Sequence, residues 1–429
     1  MKLLQSIYHL NRLKRRLTWP EERLHDLRCQ KLTVLLNYCY SHSPYYREQF
    51  DKIGAKPEDF RSPEDLCDFP VLDKERLRDR GEKLLDPNAD RSQWLRYRSS
   101  GSTGIPLELW YLPTERLRMG YTVTREMLYN GLKPWHSMVN ITEPRHAVAK
   151  DRWYHRLGVM NEQFLSVYDQ ADLNLGRLAE IKPQLLIGFP SVLMLIGREL
   201  QQKGGLNWRP KLLFTLAEVL TAEDRKFLSQ AWGVEPIDLY GANEVGHLAF
   251  QCSKRNGYHV NTDSVHVELI ENGKPVASGQ RGEIVVTNFD LRVMPMVRYR
   301  VGDIAAWSDQ PCGCGCTFPL LKAIAGRSDG FIIGEGGKVY SALEVSLLLK
   351  PVTEMLQYRL LQIAENSLTI EVVPASDDRI FIDQINKILR DRLGQSMSIE
   401  VDLVKEIPRE KSGKIRSVVS TLPHPFWRE

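Results

Sequence analysis

The chain has 429 residues, 42% hydrophobic and 26% charged, with 58 Lys and Arg against 54 Asp and Glu for a formal charge of +4. A length of that order suits about two to four domains with ample core, and the composition excludes large-scale disorder. The small positive excess gives no footprint for nucleic acid, and no run approaches the ~18 apolar residues of a membrane span.

The opening stretch MKLLQSIYHLNRLKRRL has its apolar run broken by His9, Asn11 and Arg12. It fails as a secretory signal and reads as a basic amphipathic surface helix, with transient membrane contact as the alternative. Residues 1 to about 80 carry helical periodicity, with Leu24, Leu27, Leu32, Leu35 and Leu36 recurring at three-to-four spacing up to Pro44. From about 95 to 305, short apolar runs alternate with amphipathic stretches. Strands are predicted at 185–187, 211–214, 237–240 and 282–286, and helices at 190–203 and 222–232. That alternation predicts α/β layers with substantial parallel sheet. Residues 264–288, with Glu271-Asn272-Gly273-Lys274 between strand-like runs, predict a β-hairpin. A second compact unit starts near Gly326. It runs strand (330–333), helix (342–350), two strands (the second 368–373), helix (380–393) and strand (399–403), a small α+β pattern ending in the polar loop Pro408-Arg409-Glu410-Lys411-Ser412-Gly413-Lys414.

The seven cysteines fall unevenly. Cys29, Cys39 and Cys67 lie in helical-looking sequence and are expected as buried small hydrophobes. Cys252, Cys312, Cys314 and Cys316 crowd the middle of the chain. Without a secretory signal, such crowding points to metal before disulfide and to a reducing cytosol. Cys252, then His259, then Cys312-Gly313-Cys314-Gly315-Cys316 supply thiolate and imidazole from two loops, which suits tetrahedral zinc. Reduced, metal-free cysteine is the competing reading.

The loudest local signal is Ser99-Ser100-Gly101-Ser102-Thr103-Gly104. Glycines let a backbone approach phosphate oxygens closely, and hydroxyls add donors. No Gly-Lys-Ser/Thr follows, so the Walker pattern is absent and a cation must come from elsewhere. An ordinary flexible Ser/Gly loop is the plain alternative. Asp238-Leu239-Tyr240-Gly241-Ala242-Asn243-Glu244 then places an aromatic, a glycine and a carboxylate directly after an apolar strand, a ligand-facing position in α/β sheets. Tyr299-Arg300-Val301-Gly302-Asp303, Gly326-Arg327-Ser328-Asp329 and Gly413-Lys414 follow in order.

In that order and spacing, the motifs resemble those of the adenylate-forming superfamily, and most nearly its phenylacetate–CoA ligase-like branch. Ser43-Pro44-Tyr45-Tyr46-Arg47, Gly188-Phe189-Pro190-Ser191 and Ala217-Glu218 match at branch level, and the resemblance spans roughly residues 30 to 420. It implies an α/β fold: a helical segment 1–80 packed on a large N-terminal adenylation domain 81–326, with a Cys/His subsite at 252–316, and a small mobile C-terminal α+β domain 327–429. It implies a cytoplasmic ligase that binds ATP and Mg²⁺, joins a small-molecule carboxylic acid to AMP, and passes the acyl group to CoA. An amine, a carrier protein or a sugar, in polysaccharide or secondary-metabolite biosynthesis, is the alternative acceptor.

Position by position, the resemblance implies that Ser99, Ser100, Gly101, Ser102, Thr103 and Gly104 hold the β- and γ-phosphates. Glu244 would bind Mg²⁺, and Asp303 would accept from the ribose hydroxyls with Arg327 assisting. Tyr240 would stack on adenine within Ala217, Glu218, Asp238, Gly241, Ala242 and Asn243. Lys414 would supply the missing cation and, with Glu244 and Thr103, form the catalytic set. Asp329 would be the hinge and Gly336-Gly337 would flank the acceptor tunnel. This chain has Asp329-Gly330 where the family often has two adjacent acids. Branch members with cysteine and histidine at matching positions imply Cys252, His259, Cys312 and Cys314 as ligands of a structural zinc. Cys316 falls where relatives tend to carry Arg and is treated as a spare thiol. The oligomeric state is open, a dimer included.

Overall fold

The computed structural model describes residues 2–98, 107–144, 158–205, 207–327, 331–341, 345, 348–349, 352, 354–375, 379–408 and 416–422. The chain forms two compact units: Met1–Pro134 with Ile237–Val301 and Ala305–Ala323, and Trp135–Pro236 with Gly302–Ile304 and Ile324–Glu429.

The first unit opens with helices α1 (Lys2–Arg16), α2 (Glu21–His42), α3 (Pro44–Ile53) and α4 (Lys74–Leu84). The leucine periodicity is the buried stripe of α2: Leu24, Leu32, Leu35, Leu36 and Cys39 face the core. Pro44 cannot continue α2 but suits the first turn of α3, where the Ser43 hydroxyl accepts from the Tyr46 amide at 3.4 Å. Gly54 closes α3 at φ +67°. Of the three cysteines expected inside, only Cys39 is buried. Cys29 lies on the flank of α2, off the leucine stripe and 3.5 Å from His25, and Cys67 is half-buried in the short 3-10 turn Pro63–Asp68, whose buried residues are Pro63 and Leu66. The hairpin β1 (Leu95–Arg98) and β2 (Glu108–Tyr111) follows, then α5 (Pro113–Tyr129).

The second unit begins with β3 (Met138–Thr142), β4 (Glu162–Ser166), α6 (Ala171–Ile181), β5 (Leu185–Gly188), α7 (Pro190–Gln202), β6 (Leu212–Leu216) and α8 (Ala222–Trp232). Its strands are parallel in the order β6-β5-β3-β4. Parallel neighbours need crossover helices, and Val139, Ile141, Leu186, Leu193, Leu213 and Trp232 fill the layer between sheet and helices.

The chain then returns to the first unit with β7 (Ile237–Ala242), β8 (Gly246–Phe250), β9 (Tyr258–Val260), β10 (Val265–Glu271), β11 (Lys274–Pro275), β12 (Arg281–Asn288), β13 (Tyr299–Trp307) and β14 (Leu320–Arg327), in the order β11-β10-β12-β13-β14-β9-β8-β7. The substantial parallel sheet expected is present in β3 to β6, and here it gives way to antiparallel pairing. β7/β8, β8/β9, β10/β12 and β14/β9 all pair antiparallel. β7–β8, β8–β9 and β10–β12 are joined by short links with no crossover helix, and a short loop can join only antiparallel neighbours. The predicted hairpin is present: Asn272 (φ +52°) and Gly273 (φ +78°) turn β10 into the short β11, and β12 pairs along the other edge of β10.

The last part of the second unit holds β15 (Phe331–Ile333), β16 (Val339–Ser341), β17 (Met355–Ala364), β18 (Ser367–Pro374), α9 (Phe381–Leu393), β19 (Ser398–Leu403) and β20 (Val418–Ser420). The strands order β19-β18-β17-β20, and Leu360, Ile370, Val372, Ile385 and Leu389 pack between sheet and helix. Most of the predicted helix 342–350 lies outside the described residues. Among the described residues no helix is long and apolar enough to cross a membrane.

Candidate functional site

The turn after β7 is dictated by glycine. Ile237, Asp238 and Leu239 are buried, and the ladder to β8 then shifts register at Tyr240/Gly241. A Cβ on Gly241 would stand 2.7 Å from the Gly246 carbonyl oxygen and 3.0 Å from the His247 Cα, so no larger residue fits without moving backbone. Asn243 and Glu244 follow at the tip. Glu244 is only 8% exposed. The Tyr111 hydroxyl of β2 donates to the Asn243 carbonyl at 2.6 Å. Burial pushes that phenol well up, and the Glu244 charge adds to the effect. Tyr97 of β1 meets Tyr111 edge-on at 5.8 Å, and the Arg116 guanidinium lies 4.5 Å from the Tyr97 ring. Both stalks of the hydroxyl-rich loop are thereby fastened, one to the other and β2 to the turn. Residues 99–104 themselves lie outside the described residues, as do Asp329 and Lys414.

The carboxylates of Asp238 and Glu218 both have partners within the protein. The Asp238 carboxylate is 5% exposed and accepts from the Tyr258 hydroxyl at 2.7 Å, so it is spent inside the sheet. In the second unit, Glu218 accepts from the Ser191 amide at 2.9 Å and from the Ser191 hydroxyl at 3.0 Å. This bidentate grip joins Ala217-Glu218 to the first turn of α7, where exposed N–H groups favour a carboxylate. Ala217 beside it has φ +71°, a left-handed conformation that costs a non-glycine residue about 1–3 kcal/mol. Asp303 stands mid-way along β13 after Gly302 (φ +87°), and Arg327 ends β14.

The Cys/His cluster is complete. The Sγ atoms of Cys252, Cys312 and Cys314 and one ring nitrogen of His259 all lie within 4.8 Å of one another. Cys252 Sγ is 3.4 Å from Cys312 Sγ, and Cys314 Sγ is 3.2 Å from His259 Nε2. No disulfide spans 3.4 Å, since S–S bonds measure about 2.05 Å. Two sulfurs bound ~2.3 Å from one tetrahedral zinc would stand ~3.7 Å apart, close to what is observed. His259 Nδ1 lies 3.2 Å from the Phe318 carbonyl, which leaves Nε2 for a metal. Burial lowers the His259 pKa, which keeps the ring neutral, the form that ligates. Burial would raise the Cys314 thiol, but hydrogen bonds from Tyr129 and the Cys316 amide outweigh it and pull it down. The donor set fits zinc. Cys316 is excluded from the cluster; burial pushes its thiol up to about 12.

Residues 331–421 match the family described as CapK C-terminal domain. The phenylacetate-coenzyme A ligase of Thermus thermophilus is 24% identical, covering 94% of this chain and 97% of that protein. Protein CapK of Staphylococcus aureus is 20% identical, covering 93% of this chain and 90% of that one. Among solved structures, 2-hydroxyisobutyryl-CoA ligase in the postadenylation state, in complex with R3-HIB-AMP, superposes with a TM-score of 0.77 at 19% identity, covering 95% of this chain and 91% of that chain. The chain is thus similar to adenylate-forming enzymes in fold, and in sequence to phenylacetate-coenzyme A ligases and to protein CapK.

The sequence motifs gave no sign of a buried polar network beside the turn. Asp263, fully buried, accepts from Arg125 at 2.9 Å and from Arg16 of α1 at 3.2 Å, while Lys31 of α2 donates to its carbonyl at 2.8 Å. Burial would raise the Asp263 carboxyl, but Arg125, Arg16 and Lys31 outweigh it and hold it below the usual value. Arg125 also donates to Asn261, Asn261 donates to Glu126, and Glu126 pairs with His247 at 3.0 Å. His247 borders a small pocket, open to solvent, that Arg118, Ser264, Asn288 and Asp290 also line. The one available signal was the run of polar residues Asn261, Thr262 and Asp263 within otherwise strand-like sequence.

Proposed function

We propose that this chain activates a carboxylic acid with ATP and transfers the acyl group to the CoA thiol. In the first step a carboxylate oxygen attacks the α-phosphorus, the bond to pyrophosphate breaks, and an acyl-adenylate forms. In the second the thiolate sulfur attacks the acyl carbon and AMP leaves. No general base is needed for the first step, because a carboxylic acid is already ionised near pH 7.

The observation that carries this reading is the Tyr240–Glu244 turn: a glycine-forced bend at the end of an apolar strand, with a buried carboxylate at its tip and the stalk of the hydroxyl loop bonded to it. Glu244 is suited to Mg²⁺, a hard cation that takes one or two carboxylates plus phosphate oxygens. Such an ion would draw negative charge off the phosphates. Tyr240 offers a ring for adenine, and Asp303 a carboxylate for the ribose hydroxyls. Ala217 and Glu218 contribute through backbone, since the Glu218 side chain is committed to Ser191. Ser99, Ser100, Ser102 and Thr103 align the pyrophosphate leaving group, and Lys414 stabilises charge developing at the α-phosphate. Rotation about Asp329 of a domain comprising 327–429, against a body of 1–80 and 81–326, would withdraw Lys414 for the second step. Zinc held by Cys252, His259, Cys312 and Cys314 leaves no ligand position for water and is structural. The seven free cysteines suit a reducing, cytoplasmic setting.

The match of residues 331–421 to the CapK C-terminal domain favours a second reading of the acceptor alone, an amine, a sugar or a carrier protein in place of CoA, because that segment holds Gly336 and Gly337. ATP–pyrophosphate exchange over a panel of carboxylic acids tests the first step, and absence of exchange with every acid overturns it. Adding CoA tests the second: a thioester product is expected, and adenylate turnover without one assigns the acceptor to the other class.

A further inference from the structure

Helix α1 carries Lys2, Arg12, Lys14, Arg15 and Arg16 and no acidic residue. One side of it is nailed down. The Ser6 hydroxyl and the Tyr121 hydroxyl are 2.7 Å apart, His9 stacks on the Tyr121 ring at 6.0 Å, and Arg16 pairs with the buried Asp263 at 3.2 Å. The other side faces solvent. Leu4 is 73% exposed, Tyr8 65% and Ile7 47%, an unusual density of open apolar surface on a single helix. Leu117 of α5, one turn before Tyr121, is 42% exposed. At the spacing of Leu4, Ile7, Tyr8, Asn11 and Arg15, all five share one face, with Arg12 and Lys14 exposed on its flanks. The face is therefore apolar over its first two turns and cationic over its last two.

We propose that this face of α1 docks on an anionic lipid bilayer. Leucine, isoleucine and tyrosine are the residues that enter the headgroup–acyl boundary, with the tyrosine hydroxyl left at the wet level. Exposed arginine and lysine next to them meet anionic headgroups. The helix is too short and too charged to span the membrane and lies on it. A second copy of the chain is a poorer occupant, because an acid-free basic helix set against itself juxtaposes like charges. The buried Arg16–Asp263 pair gives the helix a fixed platform, so docking need not order it first.

Co-sedimentation of the full chain with phosphatidylcholine vesicles, with and without phosphatidylglycerol, tests the proposal. Binding to the anionic vesicles alone, weakened by raised salt, is expected. Arg12→Gln and Arg15→Gln should each weaken it about fivefold, the equivalent of about 1 kcal/mol per basic residue at a charged surface. Leu4→Ser with Ile7→Ser should abolish it while leaving ATP–pyrophosphate exchange in vesicle-free buffer unchanged. Tyr8→Trp gives an independent reading, a blue shift of its emission only with anionic vesicles. Equal binding to both vesicle types, or none to either, overturns the proposal. So does a concentration-dependent dimer that Leu4→Ser and Ile7→Ser dissolve, since that would assign the face to a second copy.

Discussion

The two ends of β8 carry two different kinds of site. Cys252, two residues past Phe250, belongs to a cluster whose four donors converge within 4.8 Å and whose imidazole is oriented by the Phe318 carbonyl. Glu244, two residues before Gly246, sits on a tight turn that presents one buried carboxylate. The cluster is closed: nothing further is needed to complete a tetrahedral shell. The turn is open, and the hydroxyls and the cation that the proposed chemistry requires come from residues 99–104 and 414, far away in the chain. Closed sites hold folds together, whereas open ones leave room for a substrate. Substitutions at the two ends should therefore separate stability from turnover.

Cys252→Ser is expected to have the largest effect on stability. Losing a thiolate from a structural zinc site costs the metal's contribution to folding, and mutations that remove a metal populate the tail beyond about 4–5 kcal/mol. Atomic emission should find about one zinc per wild-type chain and far less in the variant, with a matching fall in melting temperature. Wild-type protein without zinc would break the comparison, because both ends of β8 would then be equally incomplete. Lys414→Ala is the counterpart on the chemical side. Loss of one preorganised contact to developing charge removes roughly 3–4 kcal/mol, so pyrophosphate exchange should slow by on the order of 10² to 10³ with the melting temperature unchanged. Exchange at the wild-type rate would strike Lys414 from the catalytic set.

The same contrast explains what was legible in the sequence. Cys-Gly-Cys-Gly-Cys and the Tyr-Gly-Ala-Asn-Glu turn are local patterns in which backbone sterics and side-chain chemistry coincide, so each could be read from a few residues. Helix boundaries at 190 and 222 were legible for the same reason: Pro190 and Thr221 are start signals, and α7 and α8 begin at Pro190 and Ala222. The antiparallel character of β7 to β14 was not legible, because an apolar run has no direction until its partner is known. The grip of the Glu218 carboxylate on Ser191, a pairing across 27 residues, was not legible either. The Asp263–Arg125–Asn261–Glu126–His247 chain was missed for a similar reason. Its members come from α5, β8 and the loop after β9, and only the fold brings them into contact.

Two smaller substitutions sharpen the difference at the open end. Gly241→Ala places a methyl 2.7 Å from a backbone carbonyl oxygen, and overpacking of that kind costs about 1–3 kcal/mol. The strain falls on the turn that carries Glu244, so exchange activity should fall by more than urea stability does; a loss in stability alone would make the turn merely structural. Glu218→Gln swaps one acceptor oxygen for a donor facing the Ser191 amide or hydroxyl. An unsatisfied partner there costs about 1–3 kcal/mol. The expected reading is a KM for ATP raised about tenfold with kcat nearly kept, because the residue acts by holding Ala217 in place. Ser191→Ala, which removes only the hydroxyl bond, should show a weaker version of the same split.

Cys316→Ser should do least, and its smallness is what makes it useful. Cys316 is 7% exposed and lies two residues from Cys314, so proximity in sequence alone would make it a ligand. Its Sγ is nevertheless outside the four-atom cluster, and what it contributes there is its amide, which donates to Cys314 Sγ at 3.4 Å. Serine keeps that amide and changes the buried side chain by a single atom. Zinc content should stay at about one per chain, with stability within about 1 kcal/mol of wild type. If instead zinc were lost as completely as in Cys252→Ser, the ion would have to draw on a thiol the cluster does not include. The closed end of β8 would then be a site able to exchange ligands.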